Sequence, residues 1–276
     1  MTADKTLPPH LRPDAFTGAA DDYVRYRLPY PSPMMQSFLT EAVLPSADAK
    51  LIDLACGPGR VALAIADRFS EILAVDREPE MVAAGEREAA RRGVHHIRWR
   101  VSRAEDFDAP ADCFDLVTIG EAFHRLDRPR VAANALGWLK PGGALVTLGM
   151  QNFLRGDAPW RRIVKDTVMR FVGTPAERAG GSPNPTVAEA LADQVAALRG
   201  AGFVEVASRD FEFAHTWNLA DLLGNLRSMS ALSPHALGAR HASFEAELSD
   251  ALLAFVPSGR YAERISCGYT LVRKPD

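Results

Sequence analysis

Residues 51–60 read Leu51-Ile52-Asp53-Leu54-Ala55-Cys56-Gly57-Pro58-Gly59-Arg60. The first five form an apolar run suited to a strand buried on both faces of a sheet. Two features do not belong to a purely structural strand: an aspartate at its third position, and two glycines around a proline at its end. Glycine lacks a Cβ, so Gly57 and Gly59 let the chain turn sharply and let a ligand approach the backbone amides. Asp76 falls at the end of the next apolar run, a position from which a carboxylate accepts hydrogen bonds from ribose hydroxyls. A glycine turn after one strand and an acid at the end of the next indicate a nucleoside-bearing cofactor.

The elements around this stretch follow a regular order. Apolar runs at 51–55, 72–75, 97–101, 115–119 and 144–148 read as buried strands, with helical patterns at 60–68, 79–92 and 128–139 between them. Alternating strands and helices predict an α/β chain with a doubly wound, mostly parallel sheet. Pro79 opens the second helix and Gly93 closes it. Lys140-Pro141-Gly142-Gly143 stops the third helix just before a strand. From 151 the texture changes: helical patterns near 158–172 and 186–199 are split by Gly173–Pro185, rich in glycine and proline. Strand-like 204–217 and 265–273 bracket a helical stretch, 218–257, and are expected to form an antiparallel closing pair. The expected organisation is an N-terminal helical cap (1–50), a cofactor-binding core (51–150), a helical lid insertion (151–202) and C-terminal strands of the same sheet (203–276).

Composition narrows the function. The chain has 276 residues, 47% hydrophobic and 24% charged, with a formal net charge of -3 and a pI near 6.2. Nucleic-acid binding calls for a basic footprint that is missing here. Cys56, Cys113 and Cys267 are odd in number, far apart and match no metal-ligand spacing, so a reduced, cytoplasmic setting without a disulfide framework or metal is expected. The N-terminus is polar and proline-rich rather than a signal peptide, and no apolar run reaches membrane-spanning length.

The choice of cofactor turns on details. Gly57, Gly59 and Ala62 formally match the dinucleotide fingerprint, which keeps a nicotinamide oxidoreductase among the alternatives. Against it stand Asp53 inside the first strand, the ~50 residues before that strand, and the antiparallel pair expected at the end of the chain. The successive stretches LIDLACGPGR, AVDREPEMVAAGE, FDLVTIGEAFHRL and LKPGGALV, with FTGAADDYVRYRLPYP before them, resemble the motifs of class I S-adenosylmethionine-dependent methyltransferases. The likeness is greatest to the type 11 group, which includes ubiquinone-biosynthesis enzymes. It implies a seven-stranded Rossmann-like sheet with an antiparallel last strand, with S-adenosyl-L-methionine as cofactor and S-adenosyl-L-homocysteine as product.

The resemblance also implies roles for single residues. Asp53 would lie near the cofactor's amino group, Gly57 and Gly59 beneath its methionine portion and ribose, and Asp76 at the ribose diol. Met81 would cover an adenine face, Ala104 and Glu105 would read the adenine edge, and Gly120 would pass close to the methionine backbone. This chain has Arg103 where many relatives carry an acid, so Glu105 is the candidate for the adenine amino group. Tyr23 and Arg27, at i, i+4 spacing, would close over the site, the guanidinium gripping the cofactor carboxylate.

Methyl transfer from a sulfonium needs alignment and desolvation more than acid–base help. His124, four residues beyond Gly120, is the candidate base for a hydroxyl or phenol acceptor. His95, His96 and His215 are weaker candidates. Phe153, Trp160, Met169, Phe171, Trp217, Leu223, Leu226 and Met229 supply apolar surface for a small-molecule acceptor. The expected activity is methylation of oxygen, nitrogen or carbon on a small apolar or aromatic metabolite. The alternative is a non-methylating member of the same fold, a cyclase or cofactor-binding protein.

Overall fold

The computed structural model describes residues 14–45, 48–151, 156–173 and 187–276. Phe153, most of the Gly173–Pro185 loop and residues 1–13 lie outside the described residues. Among the described residues seven strands form one sheet: β1 (Lys50–Leu54), β2 (Glu71–Asp76), β3 (Ile97–Val101), β4 (Phe114–Gly120), β5 (Leu139–Met150), β6 (Val204–Asn218) and β7 (Arg260–Arg273). Their order is β3-β2-β1-β4-β5-β7-β6. The pairs β1·β2, β2·β3, β1·β4 and β4·β5 are parallel, and β7 runs antiparallel to β5. Order therefore reverses at β1, with β2 on one side and β4 on the other, which puts the crevice outside the carboxyl ends of β1 and β4.

The central strands read as continuous apolar runs because both faces are covered. Four of the five residues of β1 are buried, as are six of the seven of β4. The helices are α1 (Ala20–Tyr26), α2 (Ser32–Ala42), α3 (Arg60–Ala64), α4 (Pro79–Arg91), α5 (Arg128–Trp138), α6 (Pro159–Val172), α7 (Val187–Ala201), α8 (Leu219–Arg227), α9 (Pro234–Leu237) and α10 (His241–Phe255). In α4, Met81, Val82, Ala84, Gly85 and Ala89 line the buried stripe, with Pro79 in its first turn. Its end is a Schellman motif: the Gly93 N–H donates to Ala90 O, the Val94 N–H to Ala89 O, and Gly93 takes φ 69°. Residues 60–68, expected as one helix, break at Ile65 (φ -124°), leaving α3 and a 3₁₀ turn at Ala66–Arg68.

The chain divides into two compact units. One takes Pro29–Met150, Pro185–Phe211 and Cys267–Asp276, and its core joins Ile52, Leu54, Val117, Ile119, Phe114 and Trp138 to Leu198 of α7 and Phe203. The other takes the described residues of Met1–Leu28, Gln151–Asn184 and Glu212–Ser266. Residues 151–202, expected as one insertion, are shared between the units, because α7 packs on α5 of the sheet.

In the second unit α1 packs on α8, with Tyr26 seated on Gly224, where an added Cβ would collide with the ring. Arg227 binds both Asp22 and Glu245. Phe171 of α6 meets Phe244 of α10 edge-on, and Trp160 lies against the fully buried Tyr261. Arg161 and the Trp217 indole N–H both donate to Glu263. Trp160, Trp217 and Leu226 are buried, whereas Met169, Phe171, Leu223 and Met229 are half-buried.

Candidate functional site

The turn after β1 has the tight geometry that its glycines announce. Gly57 and Gly59 take φ 55° and 76°, and Ala55 is also left-handed at φ 49°. An alanine there costs roughly 1–2 kcal/mol relative to an unstrained position, a penalty kept only where the surroundings dictate the backbone. Glu121, one residue past β4, takes φ 53°. Ala55 and Glu121 thus stand at the carboxyl ends of the two strands that border the crevice, while Val43, Asp48 and Asp112, also left-handed, lie elsewhere.

Asp53 is fully buried. The Thr118 hydroxyl donates to its Oδ1 at 2.7 Å, and the Ala62 N–H donates to its Oδ2 at 3.1 Å. Thr118 is its register partner on β4, so the carboxylate ties β1 to β4 and to the first turn of α3. Burial pushes the Asp53 carboxyl up to about 7 against the pull of these two donors, and the nearby Asp76 adds to the rise.

Asp76 holds the loop from the other side. Its Oδ2 accepts from the Gly57 N–H at 2.7 Å and its Oδ1 from the Glu78 N–H at 2.9 Å. Burial raises its pKa despite these amides. Each carboxylate oxygen keeps a lone pair for a second donor. Cys56, inside the same turn, is buried and its thiol is pushed well up by desolvation, which leaves it an inert filler.

The other expected residues divide between places. Met81 and Ala104 are buried, Ala104 within the core cluster beneath β4. Glu105 is buried, accepts from the Asp127 N–H at the start of α5 and stands 3.4 Å from Arg103. Gly120 needs its missing Cβ for space rather than for φ: an added Cβ would lie 3.0 Å from the Tyr30 hydroxyl and 3.1 Å from Val61 Cγ2. His124 is exposed on the 3₁₀ turn Phe123–Arg125 directly after β4, anchored by the buried Phe123. Tyr23 and Arg27 belong to the other unit. Arg27 lies 4.9 Å over the Tyr23 ring, and its Nε donates to Ser228 Oγ at 2.7 Å. His215, in that unit too, lies 4.4 Å from Trp217, and burial lowers its pKa. His96 Nε2–H donates to the Ala66 carbonyl oxygen at 2.8 Å, and His95 is exposed.

Sequence reading passed over four residues here. Thr118 shows only once strand register pairs it with Asp53. Trp99 of β3 packs on both glycine-bearing segments: a Cβ on Gly59 or on Gly85 would come within 2.4 Å of its indole. Tyr30 and Arg60 stood within the quoted motifs, and the structure brings Arg60 5.1 Å over the Tyr30 ring and 3.7 Å from Glu121. Among the described residues no group of three or more His, Cys, Asp or Glu is placed to hold a metal, and no helix is long and apolar enough to cross a membrane.

A family profile described as a methyltransferase domain matches residues 51–143. Demethylmenaquinone methyltransferase of Clavibacter sepedonicus is 30% identical over 182 residues, 62% of this chain and 72% of that protein. Nocamycin O-methyltransferase of Saccharothrix syringae is 31% identical over 186 residues, covering 61% of this chain and 64% of that one. Among solved structures, the YcgJ protein of Bacillus subtilis superposes with a TM-score of 0.56 at 16% identity, covering 89% of this chain and all of the other. Over sequence alone, the chain matches 34% of the length of the uncharacterized methyltransferase YcgJ.

Proposed function

Because the chain belongs to the class I S-adenosylmethionine-dependent methyltransferases, in the group that includes the ubiquinone-biosynthesis enzymes, we propose that it methylates an oxygen, nitrogen or carbon of a small, apolar or aromatic metabolite in the cytoplasm. The observation that carries this reading is the Gly57–Gly59 turn held by Asp76 at the mouth of the β1/β4 crevice. Both relatives described above are named for small-molecule acceptors. S-adenosylmethionine supplies a sulfonium methyl whose carbon–sulfur bond breaks as the acceptor's bond to carbon forms, the electron pair passing to sulfur.

The chain's own residues then have limited tasks. The left-handed turn leaves room for the nucleoside beside the backbone, and Asp76 offers its remaining lone pairs to the ribose hydroxyls. Met81 and Ala104 give the adenine an apolar setting, with Glu105 at its polar edge and Gly120 beside the amino-acid portion. His124 takes the proton when the acceptor is a hydroxyl or phenol. Trp160, Trp217 and Leu226, expected to face the acceptor, are buried in their own unit, where Met169, Phe171, Leu223 and Met229 are half-buried.

Two measurements test this. Incubation with methyl-labelled cofactor and a metabolite pool should give a product carrying the labelled methyl by mass spectrometry. Cofactor binding without any labelled product would instead support the non-methylating alternative. Asp76→Ala should weaken S-adenosylhomocysteine binding by about 1.5–3 kcal/mol, the range for hydrogen bonds to a charged group, with the fold intact by circular dichroism. An unchanged dissociation constant would remove Asp76 from the site.

A further inference from the structure

The glycine turn, α4 and β3 meet at one side chain. Strand register pairs Thr118 with Asp53, Asp53 with Ala74 and Ala74 with Trp99, so these side chains stand in one row on one face of the sheet. At the end of that row the Trp99 indole reaches both segments that cover the face. A Cβ added to Gly59 would lie 2.4 Å from Trp99 Cη2. One added to Gly85 would lie 2.4 Å from both Cη2 and Cζ3, and 3.2 Å from the Pro58 carbonyl carbon. The outer edge of the indole is therefore wedged between the turn and the helix. Gly59 needs glycine for its φ of 76° in any case. Gly85 has no such reason: it takes no positive φ, and inside a helix glycine is the poorest choice after proline. What glycine supplies there is space for the indole. Met81 lies one turn earlier on the same buried stripe of α4.

We infer that Trp99 is a positioning residue: its indole sets the gap between the glycine turn and α4, and with it the width of the slot that takes the nucleoside between Gly57–Gly59 and Met81. A rigid bicyclic ring in a close-packed interior allows one separation of the segments on either side. A smaller side chain leaves a void or lets the turn and the helix move together, and either change alters the slot without removing an atom that touches the ligand. The same contact steadies the start of α3 at Gly59, from which the Ala62 N–H is aimed at Asp53. The inference rests on the S-adenosylmethionine reading and adds to it the side chain that fixes the slot from behind.

Isothermal titration of the full chain with S-adenosylhomocysteine, on variants shown to be folded by circular dichroism, tests this. Trp99→Leu should weaken binding at least tenfold. Gly85→Ala, which puts a methyl where the indole edge lies, should also weaken it at least tenfold, although alanine is the better helix former. In the Trp99→Leu background the same alanine meets no ring, so it should add less than twofold to the loss, the non-additivity expected of groups in contact. Trp99→Phe keeps an aromatic ring but loses reach; it should fall between the wild type and Trp99→Leu, and it carries the test if the leucine variant unfolds. Unchanged affinity in the folded Trp99 variant would leave Trp99 a merely structural residue and overturn the inference, as would equal losses from Gly85→Ala in the two backgrounds. Binding of S-adenosylhomocysteine by the unaltered chain keeps the cofactor reading standing in those cases, whereas no binding by it overturns both.

Discussion

Replacing His124 with asparagine is expected to lower turnover at least a hundredfold while cofactor affinity stays within about twofold. The exposed imidazole stands on the turn that follows β4, three residues beyond Glu121. Exposure leaves it within reach of an acceptor, and the buried Phe123 fixes the turn that carries it. Asparagine keeps roughly the size and a hydrogen-bonding group but cannot take up a proton near neutral pH. General-base catalysis contributes ~10²–10⁴-fold, so a true base loses at least the lower figure. With a hydroxyl or phenol acceptor the proton leaves the oxygen as the methyl arrives, and that is the step a base at His124 would serve. Steady-state kinetics with the identified acceptor measure the loss. Retention of more than about a tenth of the activity would make His124 a positioning residue, with catalysis resting on alignment and water exclusion.

The second large effect concerns stability and pH. An aspartate in the unfolded chain ionises near 3.8, whereas Asp53 in the fold holds its proton up to about 7. The folded value is raised, so the stabilisation is complete below about pH 4 and is lost as pH rises through 7. Three pKa units correspond to about 4 kcal/mol over that whole window, and about 2 kcal/mol of it falls between pH 5.5 and 8. Asp53→Asn keeps an acceptor for Thr118 or Ala62 and cannot ionise. Denaturant unfolding at pH 5.5 and 8 should therefore show the wild type losing about 2 kcal/mol more than the variant. Parallel pH profiles for the two proteins would contradict a protonated Asp53.

The sheet was legible because its central strands are buried on both faces and write themselves as apolar runs. β1 to β4 fall within two residues of their expected bounds, and the caps of α4, Pro79 and Gly93, act as the sequence proposes. β5 starts earlier than expected, at Leu139, which pairs with Phe114; Lys140–Gly143 form an irregularity before the ladder resumes with Ala144 opposite Leu116. The placement of α7 with the sheet depends on Leu198 meeting the core, a contact between residues far apart in the chain. Asp53 shows the same limit: its type and position drew attention, but Thr118 becomes its partner only through strand register. Ala55 gave no signal, because its left-handed backbone is imposed by the turn and not announced by the residue.

Titration of the unaltered chain with S-adenosylhomocysteine and, separately, with an oxidised nicotinamide dinucleotide decides which cofactor the crevice takes. A glycine turn held by Asp76, beside a sheet closed by an antiparallel strand, predicts saturable one-to-one binding of S-adenosylhomocysteine and none of the dinucleotide. Saturable binding of the dinucleotide with none of S-adenosylhomocysteine would contradict it.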